Sequence, residues 1–290
     1  MKIRDSFHIY AIITIVFWSL AYVFTRMALR YFSAYSLGFL RYFVASCSLI
    51  IVVITTKIKP PAKSDLKWFI IGGGAGFFLY MIAFNKGCET VTASTSSVII
   101  ATVPIITASL ASFIYKERLK PFQWVAIVIS FFGVITLALL NGTFTMNKGT
   151  IWLFLAAILL SIYNLLQRKL IRTYSAFQTS AFSIFAGTIM LCIFSPASLA
   201  EVKNAPPIQL FYVVIMGVFS SAIAYLTWSQ AFAKAKHTSS VSNYMFITPF
   251  LTTLLGLLIA KESPDFLTIV GGIVIFTGLL VFNFGGKKAT

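Results

Sequence analysis

The stretch 94–141 reads STSSVIIATVPIITASLASFIYKERLKPFQWVAIVISFFGVITLALLN, and its most informative letters return 145 positions later. Pro104, Thr107, Lys116, Glu117 and Gly133 recur in one register as Pro249, Thr252, Lys261, Glu262 and Gly278. Coincidences among apolar letters would mean little in a chain that is 59% hydrophobic. Glu, however, occurs only four times in 290 residues, and two of these stand at the same distance behind a proline. Continuing the register backwards pairs Gly72 with Gly217, Tyr80 with Tyr225, Thr95 with Ser240 and Trp18 with Tyr163. The chain reads as two related halves, 1–145 and 146–290.

Charged residues make up 10% of the chain, against about a quarter in soluble domains. That balance belongs in a bilayer, where a helix needs roughly 20 apolar residues to cross and satisfies its own backbone groups without water. Ten stretches qualify: 8–29, 35–56, 66–86, 91–114, 121–140, 149–169, 177–196, 208–232, 240–260 and 265–284. Only short loops remain, so no soluble domain fits. The expectation is an all-α integral membrane protein of ten transmembrane helices.

A net charge of +16 raises the question of nucleic acid, but the Lys and Arg stand at the ends of spans rather than on one patch. They report orientation instead. With a cytoplasmic N-terminus, 16 basic residues fall inside and six outside (Arg26, Arg30, Lys86, Lys148, Lys203, Lys261), and Arg41 lies within a span. The positive-inside rule then places both termini in the cytoplasm. Cys47, Cys88 and Cys192 are odd in number and scattered, which offers neither a disulfide framework nor metal-ligand spacing. The first span is too long for a signal-peptide core, and Ala45-Ser46-Cys47 lies too deep in the chain for a lipoprotein cleavage box.

Five spans per half is an odd number of crossings, so the second half enters the membrane from the opposite side. Inverted halves with a solute site between them, near the midplane, are a recurrent transporter design. The details point the same way: Phe17-Trp18-Ser19 with Arg26 in span one, Leu40-Arg41 in span two, and Pro104 and Pro249 each followed by a terminal Lys-Glu pair. In these features the chain resembles the drug/metabolite transporter superfamily, and within it the ten-helix EamA family, over essentially its whole length. It departs from the pattern where Glu262 is followed by Ser263 and Pro264 instead of the Arg118 and Leu119 of the first half. The resemblance implies a small-metabolite permease of a bacterial plasma membrane, often an exporter of amino acids. It also implies that spans five and ten, carrying Gly133 and Gly278, are peripheral and hold the halves or a homodimer together.

Candidate solute-binding residues follow from polar and aromatic letters at span depth. Trp18 and Tyr22 share one helical face, although Trp and Tyr ordinarily prefer the membrane interfaces. Tyr163, Asn164 and Gln167 occupy the corresponding region of span six, and Tyr80 is mirrored by Tyr225 with Trp228 nearby. A cavity wall and ordinary helix packing are both open readings for these aromatics. Arg26 is expected to snorkel to the surface. Arg41, about two turns into its helix, either caps backbone carbonyls or attracts a carboxylate-bearing solute, because a charge at that depth is expensive unless it is met. Ser97, Thr102, Asn243 and Tyr244 precede or flank the prolines, where their polar groups bind either the solute or backbone one turn back. Pro104 and Pro249 are expected to kink their helices as hinges. Glu117 and Glu262 are expected to form a structural ion pair or a helix-end gate. The Gly72–Gly76 run lacks the Gly-Lys-Ser/Thr ending of a phosphate loop and reads as a close helix contact.

Catalysis has no support: the two His, His8 and His237, stand near span ends, and no Asp or Glu lies in mid-span. No cofactor, metal or nucleotide is expected. The absence of a mid-span carboxylate also leaves coupling either to the terminal Glu117 and Glu262 or to the solute's own gradient. The expected partners are the bilayer and a small solute. An exporter of amino acids or similar amphipathic compounds is the primary reading. Uptake of a nucleoside, nucleotide-sugar or cofactor precursor is the alternative, and a non-transporting scaffold is the rival from another class.

Overall fold

The computed structural model describes residues 7–116, 119–140, 143–234 and 243–284. Seven helices there are long and apolar enough to cross a membrane: α1 (Phe7–Ala28), α2 (Ala34–Thr55), α3 (Leu66–Cys88), α4 (Ala93–Ile114), α6 (Lys148–Leu170), α7 (Ala176–Lys203) and α8 (Pro207–Ala231). Three shorter apolar helices complete the series: α5 (Pro121–Leu137), α9 (Thr248–Ala260) and α10 (Phe266–Phe282). A short antiparallel pairing of Leu139–Leu140 with Thr143–Met146 follows α5. The chain is thus an all-α, multi-pass membrane protein. Glu117, the C-terminal residues 285–290 and the N-terminal residues 1–6 lie outside the described residues.

In so apolar a sequence, what marks the inward helix faces is small and hydroxylic residues. Thr14, Ser19, Ser36, Ser161, Ser183 and Thr188 are buried, while large side chains such as Ile54, Phe132, Phe250 and Leu258 point outward, toward where lipid would lie. Several helix starts carry hydroxyl caps. Ser33 Oγ accepts from the Ser36 N–H, Thr92 Oγ1 from that of Thr95, and Ser175 forms a reciprocal capping box with Gln178.

The prolines act differently from a mid-helix kink. α4 breaks at Ala101–Thr102 and restarts at Val103, with Pro104 in the first turn of the new segment. Pro249 likewise opens α9, after a 3₁₀ turn over Asn243–Ile247. A first-turn proline removes no intrahelical hydrogen bond, so the chain bends where Pro is cheapest.

Several local features repeat at the 145-residue spacing. Lys116 (φ 53°) and Lys261 (φ 56°) both take the left-handed conformation at the end of a helix. π turns occupy Gly74–Leu79 in α3 and Met216–Ile223 in α8. Packing obeys the same register: α1 lies against α8 and α9 while α6 lies against α3 and α4, and α2 meets the π turn of α8 while α7 meets that of α3.

The pair α5 and α10 shows this most directly. A Cβ placed on Gly133 would lie 2.6 Å from Ile275 Cγ1 and 2.9 Å from the Gly271 carbonyl. One on Gly278 would lie 2.8 Å from the Ala126 carbonyl and 3.0 Å from the Ser130 nitrogen. Ala126 and Ser130 are the counterparts of Gly271 and Ile275, so the two contact sets exchange. Because Gly133 meets the start of α10 and Gly278 the start of α5, the two helices run antiparallel.

Candidate solute-binding site

Trp18, Tyr22 and Arg26 recur every fourth residue and so form one stripe along α1, about 12 Å from first to last. Trp18 packs against Trp228 (ring centroids 5.1 Å apart) and edge-on to Tyr225 (5.7 Å) on α8. One turn further on, Tyr22 meets Phe84 of α3 at 5.4 Å, and Tyr80 stacks on the same Phe84. The π turn of α3 inserts Phe77 between Tyr42, Tyr163 and Tyr225, at 5.4, 4.8 and 5.7 Å. The result is an aromatic-walled centre where α1, α2, α3 and α8 converge.

Arg41 of α2 points into this centre and is 6% exposed. Its Nε donates to Ser221 Oγ at 2.9 Å, a hydroxyl that the π turn of α8 turns toward α2. Its guanidinium carbon stands 5.9 Å from the centre of the Tyr42 ring. Backbone carbonyl capping, one of the two sequence expectations, is not what Arg41 does among the described residues.

The other candidates divide by position. Tyr163 is buried in the contact between α6 and α3, with its ring 2.5 Å from where a Cβ on Gly76 would lie, so it packs on a glycine face. Its neighbours point along α6 to other helices: Asn164 Nδ2 reaches Thr107 Oγ1 at 3.4 Å and Gln167 Nε2 donates to Ser180 Oγ at 3.1 Å. Ser97 Oγ and Thr102 Oγ1 donate to the carbonyls of Ser94 and Ile99, which satisfies these hydroxyls on their own helix. Tyr244 hydrogen-bonds His8 and meets Phe7 edge-on, at the start of α1 and away from the Arg41 region. Asn243 opens the 3₁₀ turn, and its side chain lies outside the described residues. Sequence reasoning did not single out Tyr42, Phe77, Phe84 or Ser221. Tyr42 adjoins Arg41, but nothing in its letter distinguishes a ring facing the centre from one facing lipid.

The far end of the stripe is closed by charge. Arg26 does not snorkel: its Nε donates to Glu262 Oε1 at 2.9 Å and its Nη1 to the carbonyls of Cys88 (3.0 Å) and Glu89 (2.6 Å). Glu262 Oε2 in turn accepts from the Ala93 N–H at 3.3 Å. Glu262 thus forms an ion pair, one of the two readings the sequence left open for it, with Arg26 of α1 rather than with its neighbour Lys261. One pair thereby ties the end of α1 to the α3–α4 turn and to the residues after α9. No group of three or more His, Cys, Asp or Glu is placed to hold a metal ion among the described residues.

An all-α, multi-pass protein with a buried aromatic and cationic centre is built to handle a small organic solute inside a membrane. The chain belongs to the EamA-like transporter family, whose family model matches residues 6–139 and again 147–284. That places it within the drug/metabolite transporter superfamily: it is a secondary transporter of small organic solutes, not an enzyme. The chain is 29% identical to the "Uncharacterized transporter YdfC" of Bacillus subtilis, over 90% of this chain and 86% of that protein. It is 25% identical to the "Probable terminal-alkyne amino-acid exporter" of Streptantibioticus cattleyicolor (94% and 91%), and 23% identical to the "S-adenosylmethionine uptake transporter" of Rickettsia bellii (88% and 86%). A solved crystal structure shares the fold with a TM-score of 0.63 at 18% identity, each chain being covered to 95%.

Proposed function

We propose that the chain is an alternating-access exporter of amino acids or similar amphipathic solutes, made of two five-helix repeats, 1–145 and 146–290, inserted in opposite orientations. It crosses a bacterial plasma membrane ten times and keeps both termini in the cytoplasm. The observation that carries this reading is the exchange of contacts between α5 and α10. A two-fold operation that swaps two antiparallel helices has its axis perpendicular to them, hence in the membrane plane, as in transporters with inverted repeats. The two separate family matches, the paired π turns and the paired left-handed lysines support the same symmetry. Orientation rests on the 16-to-six bias of basic residues. Since those residues lie at helix ends, nucleic acid is no partner. The apolar outer faces of α5 and α10 suit lipid or a second copy of the chain.

Export of an amino acid is supported by the likeness to the Streptantibioticus cattleyicolor protein and by a centre that combines aromatic walls with one cation. Uptake of a nucleoside-containing cofactor is the second reading, favoured by the likeness to the Rickettsia bellii protein. Purified protein in liposomes should show counterflow of a labelled solute, and no counterflow across a broad metabolite panel would refute transport. Overexpression should raise tolerance to a toxic amino-acid analogue; heightened sensitivity would instead establish uptake. Within this fold, Trp18, Tyr22, Arg41, Tyr80, Tyr225 and Trp228 would bind the solute. Pro104 and Pro249 would be hinges, with Glu262 at the outer gate and Glu117 its counterpart at the inner one.

A further inference from the structure

We infer that Arg41 is the anion-recognition group of the central site, and that the transported class is amphipathic monocarboxylates, zwitterionic amino acids included, rather than cations or phosphate esters. The inference rests on the reading of the centre as the solute site and adds the charge that the solute must bring.

A guanidinium buried this deeply is costly unless an anion or several acceptors meet it. Every described carboxylate is engaged elsewhere. Glu262 holds Arg26, Glu89 holds Lys86 at 3.1 Å, and Asp65 accepts from the Tyr174 hydroxyl at 2.7 Å. Glu201 accepts from the Ser33 N–H at 3.0 Å, and Asp265 from the Thr268 N–H at 2.6 Å. None reaches Arg41, which among the described residues has one hydrogen bond, from Nε to Ser221, and a tyrosine ring beside it. The two terminal amino groups have no protein acceptor among the described residues.

That arrangement is selective. With Nε held by Ser221, the free edge of the fork is the Nη1–Nη2 edge, whose parallel N–H bonds match the two oxygens of a carboxylate. Ser221 is therefore a positioning residue: it fixes which edge is presented. One guanidinium balances one negative charge, which suits a carboxylate better than a phosphate monoester carrying nearly two. The aromatic walls supply apolar contact for the body of the solute and tolerate an ammonium through their ring faces. A sulfonium or ammonium compound without a carboxylate would bring a second positive charge into a site that already holds one uncompensated.

The test uses the full-length chain in nanodiscs, read by thermal stabilisation and by tryptophan fluorescence. L-Phenylalanine, L-leucine and L-methionine are each compared with their carboxamides, and 3-phenylpropionate with 3-phenylpropyl phosphate. At least one carboxylate should bind, with its amidated or phosphorylated counterpart on the order of tenfold to a hundredfold weaker, as expected for a charge-assisted bidentate contact. Arg41→Gln should erase that preference, and Arg41→Lys should keep part of it. Ser221→Ala should weaken the carboxylate selectively while leaving the carboxamide unchanged. Equal binding of acid and amide, tighter binding of the phosphate, or no binding by any carboxylate overturns the inference, and each of these is read on the wild-type chain, so none depends on a variant folding. Counterflow of a solute without any preference for the carboxylate would sink the inference while the transport function stands. Carboxylate binding without counterflow would do the reverse.

Discussion

Replacing Glu262 by Gln should unlock the end of the protein that the proposed orientation places outside. The Arg26–Glu262 pair joins α1 to the residues after α9, and the same Arg26 holds the α3–α4 turn through the carbonyls of Cys88 and Glu89. Opposite charges about 4 Å apart at an effective dielectric near 20 attract by roughly 4 kcal/mol. The side chains are 26% and 15% exposed, and the desolvation they suffer offsets more than half of that attraction, leaving about 1–2 kcal/mol net. Glu262→Gln removes the charge and keeps a side-chain carbonyl toward Ala93, so the open population should rise on the order of five- to thirty-fold. Arg26→Gln loses the carbonyl contacts as well and should raise it further.

Cys88 is a built-in reporter, because it is 1% exposed and its own carbonyl accepts from Arg26. With Cys47 and Cys192 replaced by serine, the rate at which a membrane-impermeant maleimide labels Cys88 from outside follows the open population, provided closing is faster than labelling. The double variant should label no faster than Arg26→Gln alone, giving a coupling of about 1–2 kcal/mol in the cycle. Identical rates for all four proteins, or strictly additive effects, would refute a latch. A melting temperature unchanged in Glu262→Gln separates opening from unfolding.

Two further outcomes test the packing. Gly133→Ala forces a methyl to within 2.6 Å of Ile275 and 2.9 Å of a backbone carbonyl, and should destabilise the protein by about 1–3 kcal/mol. Gly74→Ala meets only the flexible Met190 side chain, Sδ at 3.5 Å and Cε at 3.7 Å, and should be close to neutral, so equal melting temperatures for the two variants would contradict the helix contact. On the loop between α6 and α7, the hydrogen bond to Asp65 raises the ionisation of the Tyr174 hydroxyl above its ordinary value. The raised value means that this contact is intact below about pH 10 and is lost as pH climbs through the folded ionisation. The spectrophotometric difference between wild type and Tyr174→Phe should therefore report a tyrosine that ionises later than a free one, and an ordinary or earlier ionisation would exclude the contact.

The letters alone determined that this chain lives in a bilayer, roughly where most of its apolar helices lie, and that Pro104, Lys116 and Gly133 have counterparts 145 residues on. Those are properties of composition and register, and partition into lipid depends on little else. They also marked Arg41 as a charge at costly depth and Glu262 as a residue for an ion pair or a helix-end gate. What they could not give is which face of each helix meets another helix. In a soluble protein polarity answers that question; in a chain apolar on nearly every side it does not. So Arg26 and Glu262, 236 residues apart, find each other only in three dimensions, as do Arg41 and Ser221, 180 apart. For the same reason Tyr163, written at the same register as Trp18, packs on Gly76 while Trp18 meets Trp228 and Tyr225. A glycine on the facing helix admits the ring closely in one half, larger side chains stand opposite in the other, and close packing decides what hydropathy leaves open.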